Sequence, residues 1–510
     1  KSDFDFYRLT FSEDLKQTIL GIRTKPEPVF DHFGASGENR TEELYEWNLQ
    51  CLRGCSPASV LIIDNFDIPP EKENEIFHSR AYADLMSIDL KILFTSRQRP
   101  MPGAAGLELK ELPESELLKI IQAYYKGKID EDVFCELIRK AQSNTLVVEL
   151  IAKSLEQSWG QLSPKELLRL FSLSGESGDG RKPELIYGCI HHLFQVTLLS
   201  DAAKELMAQT ILFPAGGITA EICLRCHSQT EQDKLRLLEL NGWIHKTPDN
   251  LLTVHPLVQE VCRRDLKEQE EACGRFLRNY ELLSLTLANE ARLKNQYQFA
   301  DIFSNASDYL SDPEGDYAAK AGGLNYQTGR YRQALKYHQR HWERYAAGKD
   351  IDSLKAIGIL DCIASCYLGL GQYREAVYYE QQGIHTFEEL EGRDAALLAD
   401  YYNNLGTIYK EYGRFEEALA NYQRTQQFYE AREEGLTMQR AGLYLNLCKL
   451  YEKLGRFALS KEYGLKALAY YEQYPEKYIP IAVLRASVYT TLGILEEHGN
   501  DYQQAAFYYE

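Results

Sequence analysis

Apolar and polar positions change rhythm three times along this chain. Up to about residue 112, short apolar runs alternate with helical stretches. "FDFYRLTF" (Phe4 to Phe11), "VLIIDNFD" (Val60 to Asp67) and "LKILFTSR" (Leu90 to Arg97) read as strands, and "GLELKEL" (Gly106 to Leu112) as a weaker fourth. Their Val, Ile and Leu residues run together rather than alternate, which predicts strands of a parallel sheet buried on both faces. "RTEELYEWNLQCL" predicts a helix with Leu44, Trp47, Cys51 and Leu52 on one face, interrupted by Asn48.

From Pro113 the period becomes helical. "PESELLKIIQAYY" carries acids in its first turn, where the helix dipole favours them, and a second helix starts at Asn144. Ser174 to Glu184 reads as a linker, because no Lys-Ser or Lys-Thr follows its glycines to make a phosphate loop. Residues 186–268 read as helices followed by a small hairpin, the order of a winged helix. Ser200 is a good N-cap there, Gly242 closes a helix, and two short strands flank Thr247 to Asn250.

The last third repeats. Leu405-Gly406, Tyr409, Gly413, Phe415, Ala418 and Tyr422 form a skeleton. It recurs at Ile363-Ala364, Tyr367, Gly371, Tyr373, Ala376 and at Leu447-Cys448, Tyr451, Gly455, Phe457, Ser460, with weaker copies around Gly322 and Leu492-Gly493. Positions 334, 376, 418 and 460 are spaced by 42, and 505 follows at 45. Small residues let the two helices of a pair approach closely, while aromatics fill the grooves between pairs. The copies resemble tetratricopeptide repeats, whose usual period is about 34. The longer period implies longer helices or longer connections between repeats, and stacked repeats present an extended binding surface.

Composition narrows the classes. The chain has 510 residues, 44% of them hydrophobic and 26% charged, with a net charge of -18. It contains no basic run, which argues against nucleic-acid binding by the chain as a whole. No apolar stretch approaches the roughly 20 residues needed to span a bilayer. Eleven cysteines at irregular spacing read as reduced thiols of a cytoplasmic protein. Cys223 to His227 fits the C-x-x-C-H haem motif. A helical reading packs Ile222, Cys223 and Cys226 as small hydrophobes, and no second cysteine pair lies at zinc-finger spacing. The chain starts without Met and stops within a helical pattern, so both ends are expected to be cut.

Three features line up in order. Asp64 ends an apolar strand, Thr95-Ser96-Arg97 ends the next, and His255 stands after the hairpin. With the repeats behind them, they resemble the NB-ARC class of signal-transduction ATPases with numerous domains (STAND). The resemblance implies a mainly α, multidomain chain. A partial P-loop-type parallel sheet (residues 1–112) is followed by a helical domain (113–185), a winged helix (186–268), a helical linker (269–312) and an α-solenoid of repeats (313–510).

It also implies site roles. "VLIIDNFD" matches the Walker B strand, so Asp64 would hold the shell of a magnesium ion. The neighbouring position, often a second acid, is Asn65, and Asp67 is a substitute. "FTSR" matches the sensor strand, where Thr95 and Arg97 would meet the γ-phosphate. "QSNTLVVELIAKSL" matches the segment usually written Gly-Leu-Pro-Leu-Ala, with Thr145 near the adenine. "TVHPLVQEV" matches the methionine-histidine-aspartate motif, with His255 on the β-phosphate of ADP. The phosphate loop G-x-x-x-x-G-K-[ST] has no match in the chain and is expected upstream of Lys1. Without it, this chain alone is expected to bind ATP or ADP poorly.

The implied function is an ADP/ATP switch with slow ATPase activity. The repeats would sense a protein or peptide ligand, and the ATP state would assemble into homo-oligomers. A rival reading is a repeat scaffold whose α/β layer has lost nucleotide function. A third, a transcription regulator, requires a DNA-binding domain beyond the ends, because "TEQDKLRLLELNG" mixes acids with few bases.

Overall fold

The computed structural model describes residues 6–10, 15–20, 37–64, 66, 68, 72–96, 110–158, 160–173, 182–196, 200–265, 270–286, 289–346, 353–388, 395–431, 437–473, 479–499 and 501–509. The chain forms two compact units, one of residues 1–100 with 314–510 and one of residues 101–313. Among the described residues no helix is long and apolar enough to cross a membrane.

In the first unit, β1 (Phe6–Thr10), β2 (Val60–Asp64) and β3 (Lys91–Phe94) form a parallel sheet in that order. Helices α1 (Leu15–Leu20) and α2 (Gly37–Arg53) lie in the chain between β1 and β2. Between β2 and β3 come α3 (Glu73–Phe77) and α4 (Arg80–Met86). Parallel pairing needs such long crossovers. Leu61 and Ile63 are fully buried, but β3 alternates exposed and half-buried positions, and Leu93 is 52% exposed. The expectation of burial on both faces therefore fails at β3, which is the edge of the described sheet. Asn48 also departs from its reading: it does not interrupt the buried face of α2 but belongs to it. Its Nδ2 donates to the Ile19 carbonyl at 2.9 Å, and Tyr45, Leu49 and Leu52 are buried around it. Of the weak fourth strand, Lys110–Leu112 are irregular and exposed, and the rest lies outside the described residues.

The repeats follow as helical hairpins. They are α16 (Asp316–Gln327) with α17 (Tyr331–Ala346), and α18 (Ser353–Gly369) with α19 (Tyr373–Glu388). Next come α20 (Ala395–Glu411) with α21 (Phe415–Glu430), α22 (Thr437–Lys453) with α23 (Phe457–Tyr471), and α24 (Ile479–His498) with α25 (Tyr502–Tyr509). The turn glycines Gly329, Gly371, Gly413 and Gly455 have φ between +68° and +78°, a region only glycine enters without strain. The next N–H, from Arg330, Gln372, Arg414 or Arg456, donates back to Asn325, Tyr367, Tyr409 or Tyr451 and closes the first helix. Ala334, Ala376, Ala418, Ser460 and Ala505 are buried at the matching positions of the second helices. A Cβ on Gly406 would sit 2.7 Å from the Tyr422 ring, so this closeness excludes any side chain. The 42-residue period comes from first helices of 17 residues, second helices of 15 or 16, and connections longer than the turns.

The second unit begins with α5 (Glu114–Tyr124), α6 (Glu131–Lys140), α7 (Thr145–Gln157), α8 (Pro164–Leu173) and α9 (Lys182–Val196). Of the stretch read as a linker, Ser174 to Arg181 lie outside the described residues, and Lys182 to Glu184 already belong to α9. Then α10 (Asp201–Gln209), β4 (Ile218–Thr219), α11 (Ala220–Arg225), α12 (Gln229–Leu240), β5 (His245–Lys246), β6 (Leu251–Thr253) and α13 (Pro256–Asp265) follow. The strands form an antiparallel sheet in the order β4-β6-β5. The run from Thr219 to Leu240 is not one helix. It breaks at Cys226–Ser228, where Ser228 and Glu231 make a capping box that starts α12.

Helices α14 (Glu270–Thr286) and α15 (Asn289–Tyr309), in the stretch read as a linker, pack onto this group. Asn279 donates to the Cys226 carbonyl at 3.0 Å, and Asn305 to those of Leu212 and Phe213 at 3.2 and 3.1 Å.

Candidate functional site

The carboxyl ends of β2 and β3 lie side by side. Thr95 N–H donates to the Ile63 carbonyl at 2.9 Å, and Phe66 N–H donates to the Thr95 carbonyl at 2.7 Å. The Phe66 and Phe94 rings, 4.7 Å apart, pack the same corner. Backbone pairing thus puts the position of Asp64, the last residue of β2, beside Thr95. Thr10, at the end of β1, pairs with Asp64 on the other side. Open parallel sheets bind ligands at this carboxyl edge. Asn65, Asp67 and Arg97 lie outside the described residues, and of Asp64 only the backbone is described.

No group of three His, Cys, Asp or Glu among the described residues could hold a metal ion. A single strand-end carboxylate still fits magnesium, since this ion keeps waters and is bound largely through substrate phosphates. Asp64 is the residue that would hold such an ion, with Thr95 beside it toward the phosphates. Bound there, it would neutralise charge on a phosphate chain.

Thr145 is the first residue of α7. Before it, α6 ends in a turn whose Gln142 and Ser143 have φ of +55° and +52°, an uncommon pair for side-chain-bearing residues. The Ser143 N–H donates to the Ile138 carbonyl, and Asn144 Oδ1 accepts from Val147 N–H at 3.1 Å, capping α7. Gln142 to Thr145 and Lys110 to Leu112 line an open hollow of about 240 Å³.

His255 is exposed and stands immediately before α13, with Pro256 in the first helical position. Its carbonyl accepts from Val258 and Gln259, and its Nδ1 accepts from Leu257 N–H at 3.2 Å. That bond leaves Nε2 as the protonated nitrogen of a neutral ring. Local packing and the nearby His245 hold its pKa below the ordinary histidine range. Asp64 and Thr95 thus share one sheet edge in one unit, while Thr145 and His255 begin two separate helices of the other.

The Cys223–His227 stretch has a packing role. Cys223 and Cys226 are buried, and burial raises both thiol pKa values, that of Cys226 to about 12. His227 uses both ring nitrogens, Nδ1 at 2.6 Å from the Cys223 carbonyl and Nε2 at 2.7 Å from Gln209 Oε1. A thiol that does not ionise and an imidazole so engaged are poor metal ligands.

One tie escapes sequence reading. Asp265 accepts from Tyr187 Oη at 3.0 Å and lies 2.6 Å from His191 Nδ1, joining α13 to α9. The partners are more than 70 residues apart, so no local motif marks them.

Residues 357–431 match the family model of the tetratricopeptide repeat. No curated protein sequence matches the chain significantly. Among solved structures, the chain is similar to BtubC (BKLC) of P. vanneervenii at 20% identity, over 44% of this chain and 88% of that one, with a TM-score of 0.35. It is similar to a Signal Transduction ATPase with Numerous Domains (STAND) protein with a tetratricopeptide repeat sensor, from Pyrococcus horikoshii. There identity is 16%, coverage 99% and 85%, and the TM-score 0.33. Aspartyl phosphate phosphatase F of Bacillus subtilis is similar at 12% identity, with coverage of 79% and 94% and a TM-score of 0.36. The family match and the hairpins agree that the array resembles a tetratricopeptide solenoid, an architecture of protein interaction.

Proposed function

We propose that this chain is the switch and sensor part of a nucleotide-dependent signalling protein of the STAND class. The observation that carries the reading is the order of parts: a parallel sheet with Asp64 and Thr95 at one carboxyl edge, a helical group with Thr145, and a helix–strand–helix–helix–strand–strand group ending at His255. A repeat array resembling tetratricopeptides comes last. In this reading the closed state holds ADP, with His255 on its β-phosphate. A protein or peptide ligand on the repeats favours the open state, in which ATP replaces ADP and subunits assemble. Ligands move such an equilibrium only by binding its states with different affinities, by a few kcal/mol.

The test is His255→Ala in the full-length protein. Bound ADP after purification falls by about tenfold and sedimentation shifts to larger assemblies. Unchanged ADP content and unchanged size contradict the reading. One observation favours the scaffold alternative: His255 already caps α13. A substitution that lowers only thermal stability, by about 1 kcal/mol, is the scaffold's outcome.

A further inference from the structure

The repeats expose their chemistry where they stop repeating. At one site in each of the first four hairpins a small residue of the first helix, Gly322, Ala364, Gly406 or Cys448, recurs at intervals of 42. Facing it on the second helix, at the same interval, come His338, Glu380, Tyr422 and Gly464. A Cβ on Gly322 would meet the His338 ring at 2.6 Å, one on Gly406 the Tyr422 ring, and one on Gly464 the Cys448 Sγ at 3.1 Å. An imidazole, a phenol and a bare glycine all serve this contact, so packing does not require a carboxylate in the second repeat.

Glu380 is nonetheless there, 1% exposed, and among the described residues no donor meets either of its oxygens in good hydrogen-bond geometry. Its carboxyl lies within reach of Asp361 on α18 and Asn404 on α20. Asn404 Nδ2 donates to Asp361 Oδ1 at 2.9 Å, joining the first helices of two successive hairpins, and both residues are only half-buried. The other titratable groups around the pair are Tyr326 on α16, Cys362 on α18 and Asp400 and Tyr401 on α20, and Asp400 accepts from Tyr429 Oη. Among the described residues no cation is one of the groups acting on either carboxyl.

We propose that Asp361 and Glu380, flanked by Asn404, receive a cationic side chain, a guanidinium or ammonium group, from a peptide or protein partner of the repeats. This deepens the sensor reading above and rests on it. Two carboxyl groups in a shielded site cannot both ionise without a counter-charge. In the free protein Glu380 therefore keeps its proton and donates it toward Asp361. Burial and the Asp361 charge push its pKa well above the carboxylate range. An arriving guanidinium supplies N–H donors to both carboxylates in a planar fork and displaces that proton to solvent. Asp361 and Asn404 are the half-buried members that solvent reaches, and Glu380 is the buried one.

Isothermal titration of the full chain at pH 7 tests this. The probes are acetyl-Ala-Arg-Ala-amide and its neutral citrulline counterpart, each in two buffers of different ionisation enthalpy. The expected result is saturable binding of the arginine peptide with proton release, and citrulline binding weaker by about tenfold or more. Glu380→Gln copies the protonated shape, so it folds, yet it abolishes proton release and weakens arginine binding similarly. Asp361→Asn weakens binding too. Equal binding of the two peptides, or arginine binding unchanged in both variants, overturns the site. Loss of ADP from His255→Ala alongside that negative result removes this site and leaves the switch reading standing.

Discussion

In the repeat array the same contact is built repeatedly, with Gly406 against Tyr422, Gly322 against His338 and Cys448 against Gly464. At the carboxyl edge of the parallel sheet, Thr95 is tied once to Ile63 and Phe66, on either side of Asp64, through backbone bonds that any residue could make. A repeated contact separates what the fold requires from what it tolerates, because each copy is a natural substitution experiment. The sheet edge offers no such internal control. Its chemistry is read from strand order and from the end of β2. Fold-keeping residues should therefore be costly to change in the array, and chemistry-bearing ones cheap.

Tyr422→Ala probes the fold-keeping side hardest. The ring is fully buried, its Oη bonds Thr407 Oγ1 at 3.1 Å, and the cavity left beside Gly406 cannot easily close. Denaturant unfolding is expected to show a loss of about 3–5 kcal/mol; a loss below about 1 kcal/mol would mean the groove is plastic. Gly406→Val comes next. Its side chain would collide with the Tyr422 ring, at an expected loss of about 1–3 kcal/mol. Gly442→Ala is the control, since no described residue lies within 4 Å of a Cβ there. In mid-helix it should gain about 0.5–1 kcal/mol. Equal effects at the two glycines would remove the claim that close approach, rather than helix propensity, selects position 406.

The subtlest test reads a slope. Glu380 has a raised pKa in the folded array and an ordinary one when unfolded, so the folded state binds the extra proton. Stability contributed by that proton is complete at low pH. It declines as pH rises above about 4.3, until the folded group ionises. Asp361, also raised by burial, acts in the same direction. Thermal melts of Glu380→Gln should show a flatter fall of Tm with pH and a higher Tm at pH 7. An unchanged slope would mean that Glu380 ionises freely.

Periodicity made the repeats legible, because small and aromatic residues recur at fixed offsets and glycine is required where φ is positive. β2 and β3 were legible as apolar runs, but the exposure of Leu93 was not, since edge position depends on strand order. Asn48 looked like a flaw in α2 because its partner, the Ile19 carbonyl, is 29 residues away. The helix break at Cys226 hid among apolar residues, although Ser228 and Glu231 carried a readable cap. Glu380 was missed for a related reason. A lone acid on a helix reads as surface, and only its register against His338, Tyr422 and Gly464 places it in a buried contact. At Thr145 and His255 the helix starts were legible, while the capping role of the His255 ring follows only from the geometry of α13.

The proposed switch requires that the sheet edge carry a nucleotide together with its metal. It is tested most directly by ATP binding to the full-length protein, with and without magnesium, in the wild type and in Asp64→Asn. Magnesium is expected to tighten wild-type ATP binding by about tenfold or more and to have no such effect in Asp64→Asn. ATP binding that ignores magnesium, or that ignores the substitution, would contradict it.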